Sequence, residues 1–251
     1  MSRIHDALER ARRERRKPSA PSEAEAPPTP KPVEGGRSLA TVAGHFTQEC
    51  DTLRSAIEAA LPGRTNRVIM FTSAVRGEGC TTLVASLGFT LATRAGVRVV
   101  LVDGNIKAPG LANLMGLGSH AGLTDIVGRD LDLNLALRST PTPNLHVLLC
   151  GNTPLISSEV FGSARTASIL ENLKRHHRYV LIDTSAVMSV PEVAMQGKQA
   201  DGVVLVARAN KTDRAVLQKA RDLLQDGGAN LLGVVLNRRR FVIPEFIYRR
   251  L

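Results

Sequence analysis

The sequence predicts an α/β protein built on a doubly wound, mostly parallel sheet with helices on both faces. Three observations carry that expectation. From Arg67 onward, apolar runs of strand length alternate with segments of helical periodicity, and such alternation yields parallel strands joined by crossover helices. The 251 residues are 43% hydrophobic yet only 3% aromatic, with no Trp and abundant Val, Leu and Ala, which suits strands covered on both sides. The glycine-rich run Arg76-Gly77-Glu78-Gly79 falls between the first strand pattern and the next helix, where a helix N-terminus can receive an anion.

Residues 1–17 read as a basic amphipathic helix, with Ile4, Ala7, Leu8 and Ala11 on one stripe. Residues 18–38, rich in Pro, Ala and Glu and without apolar periodicity, are expected to form a disordered linker. The folded domain is placed at 39–240. It opens with a helix over Thr47–Leu61, where Cys50, Leu53, Ile57 and Leu61 recur at helical spacing. Strands are expected at Val68–Thr72, Arg98–Asp103, Leu145–Cys150, Tyr179–Asp183, Gly202–Ala207 and Leu231–Leu236. Helices are expected at Thr81–Ala95, Ala164–His176, Val190–Gln199 and Asp213–Gly227, the last with Asp213 as N-cap and Gly227-Gly228 as its stop. His176 and His177 suit a helix C-terminus through their charge. The tail, 241–251, is apolar with arginines beside it; it could pack on the domain, lie at a membrane interface or dock on a partner. Pro244 argues against one continuous helix there.

No apolar run is long enough to span a membrane, and the charged N-terminus lacks the apolar core of a signal peptide. Three cysteines at unrelated spacings indicate neither a disulfide framework nor a zinc site, so a reducing cytoplasm fits. The formal charge of +10 is concentrated at the two ends, in Arg10 to Lys17 and in Arg238 to Arg250. Such clusters either keep a protein soluble or attract an anionic surface.

Thr72 to Thr82 carries the chemistry. The phosphate-loop pattern is small-x-x-x-x-Gly-Lys-Ser/Thr; Ala74, Gly79 and Thr81 fall on register, while Cys80 stands at the lysine position. Ala74, Arg76, Gly77, Glu78, Gly79, Cys80, Thr81 and Thr82 are the candidate nucleotide-binding residues. What is missing is the cation that reaches the terminal phosphates, a charged hydrogen bond of about 1.5–3 kcal/mol; Arg76 or Lys107 could substitute for it. Cys80 at a helix N-terminus reads either as a thiol of lowered pKa open to oxidation or as a small residue where lysine is no longer required. Asp103 and Asp183 each end an apolar strand. Carboxylates there converge on the crevice where nucleotides bind and can take Mg²⁺ together with Thr81; an Asp after a strand can also simply cap the next turn.

This constellation resembles the bacterial tyrosine kinases (BY-kinases) of CpsD/CapB type, P-loop NTPases of the ParA/MinD-like superfamily that act in capsule and exopolysaccharide synthesis. The resemblance runs from about Phe46 to Asn237. Thr72 to Thr81 matches the family's Thr-Ser-Ala-x-Pro-Gly-Glu-Gly-Lys-Ser/Thr, with Arg76 and Cys80 as departures. Asp103, Ile106, Lys107 and Pro109 match its second motif in kind, and Leu181 to Thr184 its third. Ala200 to Arg208 and Gly233 to Asn237 are also very like it. The departures fall on the chemistry. The middle Asp of the second motif, which the resemblance would assign to metal and base work, is Asn105, and an amide is no general base. Lys107 stands where the family has an Arg, keeping the charge without the fork. The assembly motif Glu-x-x-Arg-x-x-Arg before the first strand aligns with Gln48, Asp51 and Arg54. Of the family's terminal tyrosine cluster only Tyr248 remains, as a candidate phosphoacceptor.

The resemblance implies a cytoplasmic protein peripheral to the inner membrane, with ATP or ADP and Mg²⁺ as cofactors, bound weakly or lost. Its partner would be the cytoplasmic segment of a Wzz-like polysaccharide co-polymerase, in capsule, exopolysaccharide or adhesin synthesis and export. Homo-oligomers and an anionic membrane surface are further partners; no nucleic acid is expected. A pseudokinase is the principal reading. The alternatives are an active ATP-dependent tyrosine autokinase using Asp103, Asp183 and Thr81, and a ParA/MinD-type positioning ATPase. That last class uses an additional early lysine, where Val75 stands here.

Overall fold

The structure, a computed structural model, describes residues 46–239. The segments 1–17, 18–38 and 241–251, and Tyr248 with them, lie outside the described residues.

Seven strands form one sheet: β1 (Arg67–Ser73), β2 (Val99–Gly104), β3 (Leu137–Ser139), β4 (Leu145–Leu148), β5 (Tyr179–Thr184), β6 (Gly202–Arg208) and β7 (Leu231–Asn237). Their order is β3-β4-β2-β5-β1-β6-β7. Every neighbouring pair is parallel except β3 with β4. The α-helices are α1 (Thr47–Ala60), α2 (Cys80–Arg94), α3 (Leu111–Leu114), α4 (Leu123–Arg129), α5 (Leu133–Ala136), α6 (Ser157–Gly162), α7 (Ala164–His176), α8 (Val193–Gln196) and α9 (Arg214–Asp226).

Side chains alternate across each strand, so a sheet covered on both faces has two cores. Ile69, Phe71, Leu101, Val147 and Leu181 pack under α1 and α2. Met70, Val100, Val102, Val180 and Ile182 pack under α7 and its neighbours on the other face. Continuous burial of β1, β2 and β5 explains why their sequences read as unbroken apolar runs.

All six expected strands are present. The antiparallel edge strand β3 was not expected; at three half-buried residues it is too short to give a period. Asp213 caps α9 through the Ala215 N–H at 2.7 Å, and Gly228, at φ +78°, follows its end. The helix expected at Val190–Gln199 is corrected: α8 covers Val193–Gln196 and passes into a 3₁₀ turn at Gly197–Gln199. Gly197 lies against Ala229, and a Cβ there would sit 2.5 Å from that side chain, so close packing sets the break. His177 also departs from expectation. It caps α7 through its Nδ1 contact with the Leu173 carbonyl at 2.9 Å, but burial pushes its pKa down to about 4, so the cap is a hydrogen bond rather than a charge.

Candidate functional site

The loop between β1 and α2 opens on a cleft of about 280 Å³ at the C-terminal ends of the strands. Gly77 and Gly79 have φ of +83° and +90°, a region that admits glycine without strain, and Gly79 is the N-cap of α2. Arg76, Gly77, Gly79, Thr81 and Thr82 all border the cleft. Asn105 and Lys107 line it from the turn after β2, Ser185 from the end of β5, and Arg238 from beyond β7. Both cations named as substitutes for the missing lysine are thus at the cleft, joined by Arg238.

Ala74 is fully buried beneath the loop, its N–H bonded to the Val206 carbonyl at 3.2 Å. Glu78 is buried as well, and its carboxylate serves the loop's shape. Oε2 accepts from the Val75 N–H at 3.0 Å, and Oε1 accepts from the Arg208 N–H at 3.2 Å and from the Thr212 hydroxyl. The Asn237 amide donates to the Glu78 carbonyl at 2.8 Å. A Cβ at Gly79 would lie 2.5 Å from that same amide, so the second glycine is also required by close approach.

Cys80 is buried, its thiol facing the Asp183 carboxylate; burial and that negative neighbour push its pKa well up. The reading of Cys80 as a reactive thiolate is therefore corrected: the positive end of α2 is outweighed by desolvation.

The two strand-end carboxylates are register partners on β2 and β5, and both are fully buried under the cleft. They do different things. Asp103 accepts three backbone N–H groups, from Asn105 at 3.2 Å, Gly110 at 3.1 Å and Leu111 at 3.0 Å, and so ties down the turn that carries Asn105 and Lys107. Burial still pushes its pKa up to about 6. Asp183 accepts the Thr81 hydroxyl on Oδ2 at 2.6 Å, and burial pushes it up to about 7. Its Oδ1 is buried and has no hydrogen-bond partner among the described residues. An orphaned carboxylate oxygen beside a threonine hydroxyl fits a small divalent cation, which favours one or two carboxylates plus water. No group of three or more His, Cys, Asp or Glu among the described residues is gathered to hold a metal.

Asn105 is held in place. Its Oδ1 accepts the Ser185 hydroxyl at 2.6 Å and the Ala108 N–H at 3.3 Å. On α1, Arg54 lies 3.4 Å from Glu58 and 4.0 Å from Asp51, which also meets Arg94 at 3.2 Å, so these charges are matched within the chain. Sequence reasoning missed Ser185, Asn237 and Arg238. In sequence Asn237 stands out only as the end of a segment like the family's, and Arg238 only as one of a basic cluster.

No family model matches the chain. It is 29% identical over 177 residues to the tyrosine-protein kinase CpsD of Streptococcus agalactiae, covering 70% of this chain and 77% of that protein. Among solved structures it superposes on the chimerical protein CapA2B2 with a TM-score of 0.74 at 26% identity, over 84% of this chain and 95% of that one. The septum site-determining protein MinD of Pyrococcus horikoshii OT3, complexed with Mg-ADP, matches at a TM-score of 0.54 and 22% identity, over 74% of this chain and 76% of that one. At that identity only the P-loop fold is shared.

Proposed function

The chain being a relative of the CpsD/CapB-type bacterial tyrosine kinases in sequence and fold, we propose that it is a pseudokinase of capsule, exopolysaccharide or adhesin synthesis and export. It acts as a nucleotide-responsive binding partner of a membrane polysaccharide co-polymerase at the inner face of the inner membrane. Residues 39–240 form the working domain; the basic leader and apolar tail assist recruitment. Among the described residues no helix is long and apolar enough to cross a membrane.

One observation supports this reading: the cleft keeps the parts that shape a phosphate site, while the lysine position and the middle-Asp position of the second motif hold side chains that supply neither a cation nor a base. The loop glycines, the α2 N-terminus and the Thr81–Asp183 pair are intact. The lysine position holds a buried thiol, and the base position holds an amide whose oxygen already accepts two hydrogen bonds. Mg²⁺ at Thr81 and Asp183 would supply charge neutralisation for the phosphates. The chain's own groups bind and orient: loop N–H groups receive the phosphates, and Arg76, Lys107 and Arg238 supply positive charge at the rim. Charge stabilisation of a transferring phosphoryl group depends on donors aimed at it, and a thiol turned towards Asp183 offers none.

Calorimetry with Mg-ATP and Mg-ADP, paired with a phosphotyrosine blot, tests the reading. Binding without phosphotyrosine supports it. Strong phosphotyrosine, abolished by Asp103→Ala, would establish the autokinase instead. The intact Thr81–Asp183 pair is the one observation in favour of that alternative.

A further inference from the structure

We infer that the end of the sheet opposite the phosphate loop holds a second anion site, built to take a phosphate or pyrophosphate group. A concavity of about 510 Å³ opens there, where the central strands begin. Arg98 enters it from the start of β2, Arg178 from the start of β5, and Arg175 and His176 from the last turn of α7.

Three features separate this concavity from ordinary solvated surface charge. The backbone that carries two of its cations is fixed by the sheet: the Arg178 N–H donates to the Arg98 carbonyl at 2.9 Å, and the Arg178 carbonyl accepts the Arg67 N–H at 2.9 Å. Two like-charged residues are thereby clamped side by side. Next, none of Arg98, Arg175 and Arg178 has a carboxylate within ion-pair distance among the described residues, and only Arg178 is felt by one, Glu58. No Asp or Glu lines the concavity. Finally, the positive field reaches the groups beneath. His177 and His146, joined through Nε2 and Nδ1 at 3.3 Å, are both held towards the neutral form: His146 by burial and then Arg98, His177 by burial against the Leu173 carbonyl, with His146 and then Arg98 adding to it.

Three arginines lining one concavity carry more charge than a single carboxylate would neutralise. Arginine forks match phosphate oxygens two at a time, so a multiply charged phosphate is the fitting ligand. The site is independent of the nucleotide cleft. β2 is six residues long, about 20 Å at the rise of a parallel strand, and the two openings lie at its opposite ends. The phosphate could arrive free in solution or on a lipid headgroup, because both present the same oxygens.

The test uses the full chain and inorganic pyrophosphate, with the histidine ring protons followed by NMR and His176 assigned through His176→Asn. Pyrophosphate should shift the His176 and His177 signals. Arg98→Ala with Arg178→Ala should weaken that response at least about tenfold, the loss expected for a charged hydrogen bond. Arg175→Glu, on the exposed face of α7, should weaken it as well, so the result does not hang on one variant's folding. Arg76→Ala with Lys107→Ala, in the other cleft, should leave it unchanged. Co-sedimentation with phosphatidylglycerol vesicles that needs Arg98 and Arg178 would assign the phosphate to lipid; a response to pyrophosphate alone would assign it to solution. Histidine signals that do not move, or that respond equally in the Arg98/Arg178 variant, overturn the site. A response to polyglutamate but not to pyrophosphate would make it a protein-docking surface instead.

Discussion

The Ser185 hydroxyl donates to Asn105 Oδ1 at 2.6 Å, across the floor of the phosphate cleft. This bond joins the ends of β2 and β5 and occupies the atom that a catalytic carboxylate would use to accept a proton. Asn105 is therefore a structural member of the cleft, and its amide oxygen is satisfied as it stands.

Cys80→Lys should tighten Mg-ATP binding by about ten- to a hundredfold, the value of one charged hydrogen bond. Calorimetry measures it. Phosphotyrosine should stay absent in that variant, because Asn105 still cannot take a proton; adding Asn105→Asp is the combination most apt to restore a signal. An unchanged affinity on restoring the lysine would count against the cleft as a nucleotide site.

Arg238 stands beside the loop, its Nε 3.6 Å from where a Gly79 Cβ would be. If the cleft binds nucleotide through rim cations, Arg238→Ala should weaken Mg-ATP by roughly tenfold, and Arg238→Lys should recover part of the loss. Equal affinities across wild type and both variants would assign Arg238 no part in binding.

Tyr179 is buried, and its hydroxyl donates to Glu58 at 2.6 Å. It cannot serve as an acceptor without unfolding β5. The chain has two tyrosines, so any phosphotyrosine found must disappear in Tyr248→Phe and persist in Tyr179→Phe. Tyr179→Phe should instead lower stability by about 1–2 kcal/mol, measured by urea denaturation, since it removes one hydrogen bond to a charged acceptor.

His177 gives a pH dependence whose sign can be worked out. Its pKa falls from the ordinary 6.5 to about 4 on folding, so between those values the unfolded chain binds a proton that the folded chain refuses. That contribution to stability is complete above pH 6.5 and is lost as pH falls towards 4, by on the order of 3 kcal/mol. Asp103 and Asp183, raised to about 6 and about 7, act in the opposite direction: they favour the folded state at low pH and cease to as pH rises through those values. The difference between wild type and His177→Asn isolates the histidine, and it should shrink from pH 7 to pH 4.5. A difference that stays flat would mean that the imidazole titrates normally.

A membrane-recruited role predicts that a fluorescent fusion is membrane-associated in its native host and diffuse once the co-polymerase is deleted. Polybasic attraction of up to ~1 kcal/mol per residue at an anionic surface would assist without anchoring. Persistence at the membrane without that partner would favour direct lipid binding.

Much of this fold is written in local signals. The strands β1, β2 and β5 read as apolar runs because both their faces are covered, and Asp213 and Gly228 mark the two ends of α9. The cleft was legible where backbone geometry dictates composition, at Gly77, Gly79 and Thr81. It was illegible where function depends on pairs far apart in sequence. The Glu78 carboxylate meets Thr212, and the Asn237 amide meets the Glu78 carbonyl, and no periodicity announces either. The difference between Asp103 and Asp183 was likewise hidden, because both follow the same strand pattern and only burial and hydrogen bonding separate a turn-holder from a candidate metal ligand. The choice between two readings of Cys80 was hidden for a related reason: position on a helix says nothing of the carboxylate it faces.

Glu78 binds its own loop to Arg208 and Thr212, and Asn237 closes the same loop from the last strand. None of these ties involves a phosphate. The chain's own groups therefore set the shape of the cradle. Neither the Cys80 nor the Asn105 side chain supplies any of these ties, so the loop's closure depends on neither of them. What a partner would feel at this rim is a contour held by the chain itself.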